Sequence, residues 1–198
     1  MFNKILLVLV VIIVALVVVV LLQPSQFTVT RKVTIAAPAE KVFAEVNDFH
    51  KWQAWSPWAK LDPKAKAEFA GPDAGEGAKF SWDGNDEVGA GIMTITESKP
   101  SDLILIRLDF ERPMKCTNQT KFSFQPAENQ TEVTWTMTGE NGFVAKAVCL
   151  VMSMDQVVGG QFEEGLANLK KVSEGASEAP AEKTPEESTP KLPVEVGK

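Results

Sequence analysis

The sequence predicts an α+β fold. An antiparallel sheet of about seven strands is covered on one face by a long C-terminal helix and preceded by a single transmembrane helix. Three patterns carry this reading. Residues 27–35 alternate with period two, six strand-like segments follow one another over residues 66–138, and an amphipathic stretch closes the domain at residues 153–172.

The first element is the most apolar. Ile5 to Leu22 is 18 consecutive apolar residues without a charge, about 27 Å long as a helix and enough to cross a hydrocarbon core. Val and Ile form helices poorly in water, but lipid compels the backbone to satisfy its own hydrogen bonds, so the helix wins there. A cleaved signal peptide would be shorter and end in a small-x-small site. This run passes through Val20-Leu21-Leu22 into Gln23-Pro24, so an uncleaved anchor over residues 1–24 is expected. Lys4 and the amino terminus on one side nearly balance Arg31 and Lys32 on the other. The usual insertion of such a segment leaves the domain outside the cytoplasm, as in a single-pass protein of a plasma or inner membrane.

Phe27, Val29, Val33 and Ile35 share one face of the first strand. Pro38 opens a helix from Ala39 to about Asn47, with Val42, Phe43 and Val46 at helical spacing. A short helix or turn holds Phe49 to Trp52, and Trp52, Trp55 and Trp58 recur every three residues. Strands are then expected at Lys66–Ala70, Ala78–Trp82, Gly91–Ser98, Leu103–Phe110, Lys115–Phe124 and Thr131–Thr138. Asp83-Gly84-Asn85-Asp86 and Ala127-Glu128-Asn129-Gln130 supply turns between them. Gly142–Leu150 reads as helical, and Ser153 caps a longer helix reaching Val172. Its stripe of Met154, Val158, Phe162, Leu166 and Leu169 must face the concave side of the sheet. Gly159-Gly160 interrupts that stripe. Each Gly costs roughly 1 kcal/mol in a helix interior, so the pair predicts a kink or a close backbone approach.

The globular domain therefore spans residues 25–173. Residues 174–198 hold six acids, three Lys and four Pro with almost no large apolar side chain. Such a segment cannot offset its ordering entropy and reads as a disordered acidic tail.

With 20 Lys+Arg against 26 Asp+Glu, net charge −6, the chain offers no basic patch for nucleic acid. It has one His and two Cys, Cys116 and Cys149, without a CxxC, so no metal site is expected. The two thiols are expected to be free and buried. Six of the thirteen Gly fall between Gly71 and Gly91, but the stretch lacks the GK[ST] ending of a phosphate loop. It reads as hairpin turns, and no cofactor is expected.

At this point the residues carry a likeness. The first strand running into Ala37-Pro38-Ala39-Glu40-Lys41-Val42-Phe43, the segment Trp52-Gln53-Ala54-Trp55-Ser56-Pro57-Trp58, and the stretch Gly77 to Ile95 resemble the SRPBCC superfamily. So does Met154 to Leu166. This is the START-like, polyketide-cyclase-like and pollen-allergen-like group. The resemblance covers about residues 27–172. It implies a helix-grip fold, in which a curved sheet wraps a C-terminal helix around a hydrophobic cavity, and it says little about function.

Strand parity names the walls of that cavity. Trp82, Met93, Ile95, Ile106, Leu108, Phe110, Asn118, Thr120, Phe122 and Trp135 face inward, opposite Met154, Val158 and Phe162 of the last helix. These are the candidate ligand-binding residues. Asn118 and Thr120 are the polar exceptions and could orient a head group. The expected function is a membrane-anchored binding or carrier domain for a hydrophobic small molecule or lipid. A polyketide-cyclase-like enzyme on an apolar substrate is the alternative, and it needs an ionisable group inside. Glu97, sharing the parity of Met93 and Ile95, His50 and Arg31 are its candidates, yet none is paired with a nucleophile and no catalytic residue is assigned. A protein-interaction module using the outer face, with Leu103 and Leu105, or the acidic tail is the third reading. Oligomeric state is left open.

Overall fold

Alternating burial along Gln26–Ile35 makes strand β1, which founds a seven-stranded sheet. The computed structural model describes residues 2–150 and 152–175, and the acidic tail beyond Gly175 lies outside them. After β1 come α2 (Ala39–Val46), a 3-10 helix (Phe49–Ala54) and the short α3 (Trp58–Leu61). Strands β2 (Lys66–Ala70), β3 (Lys79–Asp83), β4 (Ala90–Lys99), β5 (Leu103–Arg112), β6 (Cys116–Ala127) and β7 (Gln130–Glu140) follow. Helices α4 (Phe143–Val148) and α5 (Met154–Ser173) end the described chain, and α1 (Phe2–Leu22) begins it. All neighbours pair antiparallel in the order β1-β7-β6-β5-β4-β3-β2. This is the curved antiparallel sheet with a C-terminal helix that the sequence predicts.

The two ends of the sheet differ. At one end β1 and β6 begin while β5 and β7 finish, and α1 enters there; we term it the anchor end. At the far end, α2 and the 3-10 helix cap the sheet. Phe43 meets Phe124 edge-on at 5.4 Å, Thr131 Oγ1 donates to the Ala37 carbonyl at 2.8 Å, and Ser98 Oγ contacts Asn47 Oδ1 at 2.7 Å. The indoles of Trp52 and Trp55 donate to the carbonyls of Val46 and Glu45. Each ring thus buries its area without losing its hydrogen bond. Both are buried and Trp58 is half-buried, so the tryptophans at three-residue spacing are chiefly core.

Helix α5 starts at a capping box, with the Ser153 hydroxyl accepting from Gln156 N–H and the Gln156 side chain accepting from Ser153 N–H. It runs along β1 from the anchor end to the far end. Near its start Asp155 and Glu163 grip Arg31, and near its finish Lys170 donates to the Thr34 carbonyl. Glu174, just past the helix, accepts the Ala36 N–H at 2.7 Å. Phe162, Leu166 and Leu169 are buried beneath it. The Gly159 expectation of a close approach is met: a Cβ there would lie 2.1 Å from the Arg31 guanidinium. Gly160 has nothing within 4 Å.

One strand reading is corrected. The β4–β5 register slips between Ile95 and Glu97, so Ile95 pairs with inward Ile106 but Glu97 pairs with outward Leu105. A bulge inserts one residue and reverses parity beyond it. Glu97 therefore sits outside, bound to Lys99. A second correction concerns the thiols: both are free, but Cys116 is exposed and Cys149 only half-buried, because each lies at the anchor end, where cover is thin.

Candidate functional site

Register turns the inward residues into rows across the sheet. Below the Val33, Val133, Phe124 row at the capped end, one row runs Arg31, Trp135, Phe122, Ile104. The next is Val29, Met137, Thr120, Ile106, Ile95. Then come Phe27, Gly139, Asn118, Leu108, Met93, Phe80, and finally, at the anchor end, Cys116, Phe110, Gly91, Trp82.

Burial divides these rows. In the Arg31 and Val29 rows, Phe122, Trp135, Thr120, Ile106 and Ile95 are all buried, and Phe162 of α5 lies flat on Trp135 with ring centroids 4.1 Å apart. Phe122 leans on Trp135 at 4.8 Å, while Trp52, Trp55 and Trp58 present edges to it. Gly165 makes the fit possible, since a Cβ there would stand 2.8 Å from the Trp135 ring. This middle is filled by aromatic side chains rather than hollow.

The anchor-end rows are different. Trp82, Met93, Leu108 and Phe110 are only half-buried, as are Met154 and Val158 in the first turns of α5. Trp82 lies across Gly91, where a Cβ would come 2.5 Å from the ring, and it meets Phe110 edge-on at 5.7 Å. Six of the thirteen predicted ligand residues are thus half-buried and apolar, four as a half-open wall on the sheet with Asn118 opposite Leu108, and two in the first turns of α5. Asn118 is 7% exposed and Thr120 5%. The Asn118 amide fills the space above Gly139, where a Cβ would sit 2.1 Å from Oδ1, and its Nδ2 makes only a long 4.0 Å approach to Met137 Sδ. Trp135 Nε1, one strand away, is buried with no hydrogen-bond partner.

Ionisable groups lie elsewhere. The buried polar side chains among the described residues are Ser56, Asn118, Thr120, Thr131 and Ser173, none of them an acid or base. Arg31 does have inward parity, but its guanidinium binds both Asp155 oxygens (2.7 and 3.0 Å) and Glu163 (2.6 Å). That hydrogen bond, reinforced by charge, holds the Asp155 carboxyl below the usual carboxylate range, and the two acids raise the Arg31 guanidinium. His50 stacks on Phe69 at 4.0 Å, and its Nδ1 contacts Asp48 Oδ1 at 2.8 Å on the surface. No three His, Cys, Asp or Glu side chains gather among the described residues to hold a metal.

Two further hollows are present. One, of about 660 Å³, is lined mainly by outward side chains such as Thr28, Thr96, Arg107, Gln119 and Thr138, and is also bordered by Phe27, Asn118 and Gly139 of the inward row. The other, of about 210 Å³, lies between His50, Phe69 and Pro72.

A family model described as polyketide cyclase / dehydrase and lipid transport matches residues 26–174. The chain belongs to that family. Solved structures of the same fold include a hypothetical protein of Helicobacter pylori, 14% identical with a TM-score of 0.56, covering 74% of this chain and 88% of that one. The Aha1 dimer of Colwellia psychrerythraea is 16% identical (TM-score 0.54, covering 75% and 96%), and a Chromobacterium violaceum protein 15% (0.53, covering 74% and 96%). At these identities the likeness shows the SRPBCC-type helix-grip fold and nothing about ligands. A search of curated proteins finds no match.

Proposed function

We propose that the domain binds a hydrophobic small molecule or lipid at the anchor end of the grip, held near a bilayer by α1. The observation that carries this is the half-buried apolar wall around a buried amide with no strong partner. Pockets for apolar ligands join a largely apolar lining to a few polar points that set orientation. Here Trp82, Met93, Leu108 and Phe110 supply the apolar lining on the sheet, Met154 and Val158 extend it from the first turns of α5, and Asn118 is the polar point. An oxygen-bearing head group would give its amide a stronger partner than the long contact to Met137 Sδ. The other six buried residues of the set, Phe122, Trp135 and Phe162 among them, serve as a rigid floor. Membership of a family that covers lipid transport supports the same class of ligand.

Among the described residues, α1 is one helix long and apolar enough to span a membrane, and its side chains other than Val20 are exposed. An uncleaved span with the domain outside the cytoplasm is the topology we propose. The cyclase-like alternative draws less support, since Glu97 and His50 face solvent and Arg31 is engaged by two acids.

The test is native mass spectrometry of the domain spanning residues 25–198. The core forms without α1, which adds only Val20 to the buried set. We expect an apolar adduct that disappears on organic extraction and returns with added oleate, and is lost in Leu108→Asp. A domain that never carries or takes up such a molecule contradicts the proposal.

A further inference from the structure

The segment after β7 touches α1 through α4 but leaves most of its large apolar side chains exposed. Residues 143–152 read FVAKAVCLVM, with Lys146 the single charge. Phe143 (52% exposed), Val144, Val148 (53%), Leu150 and Met152 (47%) all project into solvent. Isolated exposed apolar residues are ordinary, but five large ones within ten positions need an occupant.

The position of the segment names one. The Asn141 N–H donates to the Ser25 carbonyl at 2.7 Å, and Gln26 pairs with Glu140. Ser25 is three residues beyond the end of α1, a reach of roughly 10 Å at most. Helix α4 also packs against α1. The foot of the segment is therefore pinned beside the point where α1 would leave a bilayer. Met114, exposed in the β5–β6 turn, lies at the same end of the sheet, as does the half-open wall of Trp82, Leu108 and Phe110.

We propose that residues 143–150 dip into the surface of the membrane in which α1 sits, so that the apolar wall opens toward lipid rather than water. This rests on the reading of α1 as a span. A short amphipathic segment gains little from lipid alone, but tethering turns its insertion into an intramolecular step at high effective concentration. Lys146 can keep its ammonium among head groups while its stem stays in the apolar layer.

The experiment uses the full chain in vesicles of phosphatidylcholine and phosphatidylglycerol (3:1), with Cys116→Ser and Cys149→Ser. An environment-sensitive fluorophore is attached at Val148→Cys or, as control, at Asn129→Cys. Asn129 lies in the β6–β7 turn at the far end of a 12-residue strand, roughly 40 Å away. A nitroxide-bearing lipid should quench the label at 148 at least twofold and leave that at 129 unchanged, and Phe143→Asp should reduce the quenching. Equal quenching at both positions, or none at 148 in chain that resists alkaline extraction, overturns the docking while sparing the anchor. Chain that washes from the vesicles overturns the span reading and the docking with it.

Discussion

Single side chains decide how tightly the middle of the grip is filled. Gly165 and Gly160 lie in the same helix with opposite surroundings, the first against Trp135 and Pro57, the second against open space. Ala at 160 should stabilise the fold by about 0.5–1 kcal/mol through helix propensity. Ala at 165 should cost about 1–2 kcal/mol net, because overpacking of 1–3 kcal/mol outweighs the same gain. Urea midpoints of the two variants should therefore move in opposite directions. A pH effect belongs to Asp155, whose carboxyl Arg31 holds low. A depressed folded value contributes stability above the unfolded value, about 3.9, and loses it as pH falls through the folded one. Protection of the first turns of α5 against hydrogen exchange should thus fall below about pH 4, and this acid dependence should be lost in Asp155→Asn. Parity could place Arg31 inward, but not find Asp155 and Glu163, 124 and 132 residues away. Asn118 was visible as a polar exception. Its seat over Gly139 was not, because that depends on which residue lies opposite in the register.

At the level of elements, strand patterning recovers all seven strands and helical spacing recovers α5, and all of these except β2, which is exposed along its length, bury one face against the same core. The bulge at Ile95–Glu97 escaped that reading, since one inserted residue leaves no mark in the hydrophobic pattern and yet reverses Glu97. Helix α5 depends on its capping box, and it alone supplies Met154 and Val158 to the wall. Ser153→Ala should destabilise the domain by about 1 kcal/mol. Exchange should rise first at Met154 to Val158, and affinity for an apolar ligand should fall more than the affinity of a Gly160→Ala control. Equal ligand affinity in both would detach α5 from the site.

The whole molecule is asymmetric along its strands. Helix α2, the 3-10 helix and tryptophans packed edge-on close the far end, while the anchor end keeps an apolar wall half open beside α1. Parity assigns a residue to a face but says nothing about which end of that face a helix covers. The inward parity of the candidate residues on the sheet is therefore legible in the sequence, and their division into buried and half-buried groups is not. The most direct measurement is methyl NMR of the domain of residues 25–198 titrated with oleate. We expect the methyl groups of Met93, Leu108, Met154 and Val158 to shift together and saturably, with those of Val42, Val133 and Leu169 unmoved. Shifts confined to the far end, or none at saturating oleate, would contradict a ligand seat at the anchor end.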